Sequence, residues 1–257
     1  MTPTLFELKS WALQAGTILR AGLGQEHSIH HKGKVNLVTE MDRRSEDYLL
    51  KEIRGHYPEH RIIAEESGLL AGRDSNCWYI DPLDGTTNYA HGLPLFCVSI
   101  AYAENGELKL GAIYDPMQDE LFCAEQGAGA WLNDEPLHVS NTSELIKCLL
   151  VTGFPYDLVD TPRNNLENFT RLTRLSQGVR RLGSAALDLC YVASGRLDGY
   201  WEMTLGPWDL AAGVLMVREA GGMVTSLEGD AQILQPPYSI VAGNTNIHAQ
   251  LMKLLDK

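Results

Sequence analysis

Four carboxylates stand directly behind apolar or aromatic runs. Glu65 follows residues 61–64 (RIIA), Asp81 and Asp84 punctuate residues 78–89 (WYIDPLDGTTNY), and Asp209 follows residues 206–208 (GPW). Such runs are buried, so these acids lie at the edge of a core. A carboxylate taken out of water without a partner is costly. Several brought together repel and resist ionising unless cations sit among them. A donor set made only of oxygen suits a hard divalent cation. Between Asp81 and Asp84, Pro82 fixes a bend, and Gly85 permits a tight turn after it. Two carboxylates so placed can hold adjacent metal ions. The Leu83 carbonyl can then point into the same site, and Thr86 and Thr87 bring hydroxyls just beyond it.

Each acid alone has a plainer explanation: a turn at Asp84-Gly85, a helix N-cap at Asp209, a solvated strand end at Glu65-Glu66. A metal site covers all four at once, and Asp209 can cap its helix and bind metal together. A phosphate partner follows. Gly183, Ser184, Ala185 and Ala186 open a helix, whose free N–H groups form an anion site. Ordinary capping by Ser184 explains the same residues. Lys32 and Lys34, in the polar and mobile loop expected at 27–34 (HSIHHKGK), either screen that phosphate or are solvated.

Other chemistries are missing. The sequence has no G-x-S-x-G, H-E-x-x-H or G-x-x-x-x-G-K-[ST]. Gly22-Leu23-Gly24 and Gly127-Ala128-Gly129 each lack the third glycine of a dinucleotide fingerprint. His27, His30 and His31 read as solvated rather than as a zinc site. Cys77, Cys97, Cys123, Cys148 and Cys190 are scattered, odd in number and without a C-x-x-C pair. Neither a disulfide framework nor a zinc knuckle is expected, and a reducing cytoplasm fits best.

The elements that must position these acids follow from periodicity. Leu5, Leu8, Trp11, Ala12, Ala15, Ile18 and Leu19 recur at helical spacing, and Gly22 and Gly24 end that helix. A second helix starts near Asp42 and stops before Pro58. Short buried strands at 61–64 and 78–80 present Glu65, Glu66 and Asp81. From Phe96 to Tyr102 the pattern alternates, Asn105-Gly106 signals a type I′ hairpin, and the chain returns through 108–114. Short antiparallel strands continue to about Val139. The second half reads as strand 149–152, helix 164–176, extended 180–182, helix 184–194, strand 199–203, helix 209–220, strands at 224–225 and 240–241, and a final helix 247–255. Small residues beside Asp209 (Ala211, Ala212, Gly213) favour close packing that holds this acid rigidly. Strands and helices alternate without a βαβ rhythm or an internal repeat, which predicts an α+β fold of layered sheets and helices.

The length of 257 residues predicts one large domain or two intimately packed lobes; the expectation is a single domain with lobes at roughly 1–146 and 147–257. A chain 44% hydrophobic and 21% charged is an ordinary globular one, which excludes disorder, collagen and coiled coil. The net charge of −12 repels phosphate backbones, so direct nucleic-acid binding is not expected. A small phosphorylated substrate remains open, because metal ions reverse the local sign. The first residues lack a basic start followed by an unbroken apolar run, so no secretory leader is expected. No run reaches the ~18 apolar residues of a membrane span.

Together the residues resemble the inositol monophosphatases, within the lithium-sensitive, magnesium-dependent sugar phosphatase superfamily. The matching segments are 37–42 (LVTEMD), 64–67 (AEES), 78–89, and 208–213 (WDLAAG) leading to 219–222 (EAGG). They keep the family's order over about 32–222, and the central run is long and specific. The resemblance implies that Glu65, Asp81, the Leu83 carbonyl, Asp84 and Asp209 bind about two to three magnesium ions. It implies that Asp42 pairs with Thr86 near the attacking water, and that Gly85 and Thr86 contact the phosphate. Glu202 matches the position that touches the inositol hydroxyls, with Asp209 nearby. Gly183, Ser184 and Ala185 match a ligand-contacting turn, and Lys32 the loop lysine near the metals. The family also implies a layered α/β/α/β/α sandwich of the inositol monophosphatase / fructose bisphosphatase type, a homodimer and lithium sensitivity.

The expected reaction is in-line hydrolysis of a phosphate monoester, myo-inositol 1-phosphate foremost, by metal-activated water. Thr86 with Asp42, or Glu65, deprotonates that water; no cysteine or serine stands out as a nucleophile. Histidinol phosphate is the close rival substrate, with nucleotide 3′-phosphates and fructose bisphosphate more distant. Thr87 favours the inositol type, because the histidinol and nucleotide branches commonly carry Lys or Arg after Asp-Gly-Thr. A different class remains: some bacterial members of the family dock onto transcription or ribosome-assembly machinery, a role that needs no magnesium-dependent turnover.

Overall fold

A computed structural model describes residues 2–25, 29–31, 37–156, 158, 161 and 164–255. Helix α1 (Leu5–Gly22) begins at a reciprocal cap. The Thr4 hydroxyl accepts the Glu7 N–H, and the Glu7 carboxylate accepts the Thr4 N–H. Strands β1 (Ile29–His31) and β2 (Leu37–Thr39) then pair antiparallel. The sequence reads the first of these as part of a polar loop, and the structure corrects that. Helix α2 (Glu40–His56) opens on a second reciprocal cap, in which Asp42 Oδ2 accepts the Thr39 N–H at 2.7 Å.

The first sheet holds β3 (His60–Ala64), β4 (Gly68–Leu70), β5 (Arg73–Asp84), β6 (Cys97–Glu104), β7 (Glu107–Asp115), β8 (Glu120–Glu125), β9 (Gly129–Leu132) and β10 (Glu135–Pro136), in the order β10-β9-β8-β7-β6-β5-β3-β4. Among the described residues of this sheet, only β3 and β5 pair parallel. Asn105 and Gly106 adopt φ of 52° and 80°, as the two central residues of a type I′ turn require. A short helix, α3 (Thr86–Ala90), leaves β5.

The second sheet holds β11 (Leu149–Thr152), β12 (Gly178–Arg180), β13 (Gly199–Glu202), β14 (Met223–Thr225) and β15 (Ile240–Gly243), in the order β12-β11-β13-β15-β14. With it come helices α4 (Leu166–Leu175), α5 (Ala185–Ala193), α6 (Pro207–Glu219) and α7 (Thr245–Leu254).

Strand alternation sorts the side chains into layers. On β5, Trp78 and Ile80 face the α1/α2 side, and Cys77 and Tyr79 face the α5/α6 side. On β13, Tyr200 joins the α5/α6 core, and Trp201 turns to α7. The helix pair α5/α6 therefore fills the space between the two sheets, with α1/α2 outside one and α4/α7 outside the other. This is the layered α/β/α/β/α sandwich expected from the resemblance. The small-residue expectation also holds: a Cβ on Gly213 would lie 2.6 Å from the Leu189 side chain, so α6 meets α5 through a bare backbone.

Boundaries differ from the sequence reading at several elements. Strand β5 runs on through Pro82 to Asp84 rather than stopping at Ile80. Helix α6 starts at Pro207, a favoured first helical residue, so Asp209 is its third residue and not its N-cap. The extended segment near 180–182 is strand only up to Arg180. Among the described residues, no helix is long and apolar enough to cross a membrane.

Candidate active site

A break in register builds the acidic pair. On β6, Ser99 pairs with Asp81 and Cys97 pairs with Asp84, so Pro82 and Leu83 together face Val98 alone. This is a β-bulge. In a regular strand positions 81 and 84 would point to opposite faces; the extra residue turns both to one face. Proline is tolerated there because the bulged position is not called on to donate an N–H to the ladder. The Leu83 N–H donates to Asp81 Oδ1 at 3.0 Å, which orients that carboxylate. Gly85 then turns the chain with φ 96° and ψ 32°. A Cβ there would stand 2.8 Å from the Leu95 carbonyl oxygen, so only glycine fits.

The other groups come from distant segments. Asp209 accepts the Gly206 N–H at 2.6 Å across the first turn of α6. Asp84 Oδ2 accepts the Ser184 hydroxyl at 2.6 Å and the Ala186 N–H at 2.7 Å. The anion at the α5 N-terminus is thus the carboxylate of Asp84, at a turn where the sequence reading leaves open a phosphate site or ordinary capping by Ser184. Ser184 also caps α5, accepting the Leu187 N–H at 3.4 Å. The Thr86 hydroxyl reaches Asp42 Oδ1 at 2.9 Å and the Leu83 carbonyl at 3.1 Å. The Glu65 N–H donates to the Ile80 carbonyl, which ties the end of β3 to β5.

These residues line one cleft of about 370 Å³. Its wall includes Glu65, Asp81, Asp84, Thr86, Glu202 and Asp209, together with Leu83, Gly85 and the turn at Gly183, Ser184 and Ala185. Asp42 stands behind Thr86, buried, and Lys32 and Lys34 lie outside the described residues. A second hollow, beside Met41 and Arg44, brings no acid.

The electrostatics of the cleft are those of anions short of a counterion. Burial, with the charges of Glu65, Asp84 and Asp209, holds Asp81 well above the usual carboxylate range. Burial and the charge of Asp84 do the same to Asp209. Burial raises Asp84 against the donors Ser184 and Ala186, and raises Asp42 against Thr39 and Thr86. Carboxylate oxygens of Asp81, Asp84 and Asp209 all lie within 4.8 Å of one another. Three like charges at this range, all with oxygen donors, fit a hard divalent cation such as magnesium. Glu65 and Leu83 line the same wall, with the Leu83 carbonyl beside the Thr86 hydroxyl.

On β13, burial pushes Glu202 up to about 7 against the hydrogen bond from the Tyr200 hydroxyl, 2.6 Å long. Gly153 makes room for it: a Cβ there would lie 2.1 Å from Glu202 Oε2. Gly153, Phe154, Pro155 and Tyr156, with Arg181 and Asp188, line the cleft and were not legible as site residues. Asn165 anchors that loop. It accepts the Trp201 indole N–H at 2.7 Å and donates to Thr152 Oγ1 and the Gly153 carbonyl at 2.8 and 2.7 Å. Asp188 alone left a signal, as the single charge in the apolar run AALDLCYVA.

Comparison with known proteins agrees with this architecture. The profile of the inositol monophosphatase family matches residues 1–257. An inositol-1-monophosphatase of Synechocystis sp. is 47% identical, over 97% of this chain and 90% of that protein. A protein of Pasteurella multocida named Nus factor SuhB is 42% identical, over 99% of this chain and 96% of its own length. The solved inositol monophosphatase of Anabaena (Nostoc) sp. superposes with a TM-score of 0.88 at 49% identity, covering 97% of this chain and 94% of that one. A match over the full length, with a shared fold at this identity, means that the chain belongs to the inositol monophosphatase family.

Proposed function

We propose that this chain hydrolyses a phosphate monoester of a polyol, myo-inositol 1-phosphate foremost, with magnesium held by Glu65, Asp81, the Leu83 carbonyl, Asp84 and Asp209. The observation that carries the reading is the convergence of Asp81, Asp84 and Asp209 within 4.8 Å in a cleft that Glu202 also lines. When bound, magnesium supplies the charge that offsets the phosphate and acidifies water.

The chain's own groups do the rest. Asp42, held by Thr39, accepts the hydrogen bond of the Thr86 hydroxyl and would receive its proton as Thr86 takes one from water. The Thr86 oxygen is then left with lone pairs to accept a proton from water, and Glu65 offers a second acceptor. Gly85 and Thr86 present the turn that meets the phosphate oxygens. Gly183, Ser184 and Ala185 form the edge against which the alcohol half rests, and Glu202 accepts its hydroxyls. In this reading Lys32 adds a cation near the phosphate, lithium competes for the most weakly held magnesium position, and the protein works as a homodimer.

The test is phosphate release from inositol 1-phosphate, histidinol phosphate, fructose 1,6-bisphosphate and adenosine 3′,5′-bisphosphate, each with and without magnesium. Magnesium-dependent release led by the inositol ester is expected. Release led by another ester overturns the substrate and keeps the site. No release from any overturns the enzyme reading and favours the docking role that the name of the Pasteurella relative raises.

A further inference from the structure

Helix α5 carries one charge. Its other residues are Ala, Leu, Cys, Tyr and Val, and nearly all are buried in the layer between the sheets. Asp188 is 1% exposed, yet its Oδ1 accepts no hydrogen bond from any described residue. The neighbouring acids are treated differently: Asp84 takes Ser184 and Ala186, Asp209 takes Gly206, and Glu202 takes Tyr200. A carboxylate oxygen buried without a donor bears its full desolvation cost. An apolar residue here would extend the core of α5 without that cost, so the packing does not account for the acid.

The position of Asp188 shows what could meet it. It lies one helical turn past Ser184 on the same face of α5, and it lines the cleft together with Glu202. The two acids are close enough for the charge of Glu202 to act on Asp188, and Arg181 at the rim acts on both in the opposite sense. Among the described residues, the group of converging ligand oxygens is Asp81, Asp84 and Asp209, and it does not extend to Asp188. A phosphate group would be repelled here. A group that enters this part of the cleft must bring hydrogen-bond donors without negative charge.

We propose that Asp188 is a specificity residue that, with Glu202, makes an acceptor wall for hydroxyl groups of the alcohol half, so that the cleft selects phosphate esters of polyols over esters of simple alcohols. The proposal rests on the phosphatase reading above and adds to it a residue and a rule of selection. Esters whose alcohol half lacks hydroxyls leave Asp188 Oδ1 without a donor and Glu202 with that of Tyr200 alone, which is the kind of loss that enforces discrimination.

The readout is a ratio, kcat/KM for myo-inositol 1-phosphate over kcat/KM for phenyl phosphate, measured with magnesium on the full chain. Asp188→Leu should lower this ratio roughly tenfold to a hundredfold, the worth of a hydrogen bond to a charged acceptor. Asp188→Asn keeps the shape and a weaker acceptor, and should lower it at least about threefold; it carries the test if the leucine variant does not fold. A merely structural role, or an acid satisfied by trapped water alone, slows both esters together and leaves the ratio within about twofold of wild type; that result overturns the proposal. Selective loss of phosphoethanolamine turnover instead would mean that Asp188 meets an ammonium group, which overturns the hydroxyl assignment. Wild-type protein that releases phosphate from neither ester contradicts the phosphatase reading itself, and so is distinct from an active enzyme whose ratio does not move.

Discussion

In metal-free protein, raising the pH from about 4.5 to about 8 should cost stability, with Glu202 responsible for a measurable share. Burial holds this acid near 7, against an ordinary value of 4.5. Below 4.5 both folded and unfolded chains keep the proton. Between 4.5 and about 7 the unfolded chain ionises and the folded one does not, so unfolding gains about 1.4 kcal/mol per pH unit. Above about 7 the loss is complete, at roughly 3 kcal/mol. For a chain of this length that corresponds to about 6–12 °C in Tm. Glu202→Gln keeps the side-chain shape opposite Gly153 and an acceptor for the Tyr200 hydroxyl, and removes the titration. The assay is thermal unfolding in EDTA across this pH range for both proteins. Asp81, Asp188 and Asp209 are also raised by burial and act with the same sign; the charge of Glu202 adds to the upward push on Asp188 and Asp209, so the difference between the two proteins reads Glu202 together with its coupling to these two acids. Wild type should lose about 6–12 °C more than the variant on going to high pH. Parallel pH dependences would refute the reasoning.

Three further outcomes follow from the geometry. Thr86→Val should lower kcat by roughly a hundredfold or more, while Thr86→Ser, which keeps the hydroxyl facing Asp42, retains most of the activity in the same assay. Gly85→Ala should cost about 2 kcal/mol or more in chemical denaturation, because φ is 96° and the new Cβ would meet the Leu95 carbonyl. Asn165→Ala should cost roughly 3 kcal/mol by the same measure, since it strands the Trp201 indole N–H in the core and frees the loop that begins at Gly153.

The elements that report themselves through local pattern were legible: α1 through its apolar spacing, the β6–β7 hairpin through Asn105-Gly106, α5 through Ser184 and the apolar run behind it. The acidic strand ends were legible too, because a carboxylate behind a buried run is unusual wherever it occurs. The resemblance then ordered them into a family and a layered architecture. The device that aims Asp81 and Asp84 was not legible. A bend at Pro82 was readable, but whether it is a turn or a bulge depends on the pairing of β5 with β6. Nor was the engagement of Ser184 and Ala186 by Asp84, because it joins segments far apart in the chain. Asp209 was misplaced by the missing weight on Pro207, which starts α6 earlier. Asp188 needed tertiary information of another kind, since its interest lies in the donors that do not surround it.

The account's central claim is that the acids on the bulged strand hold the metal on which turnover depends. It is tested most directly by the rate of phosphate release from myo-inositol 1-phosphate against magnesium concentration, for wild type and Asp84→Asn side by side. Wild type should rise from no release in EDTA to saturation. The variant, whose amide oxygen can still accept from Ser184 and Ala186, should remain folded and fall by at least about a thousandfold. Release that is indifferent to EDTA, or near-normal turnover by a folded Asp84→Asn protein, would contradict it.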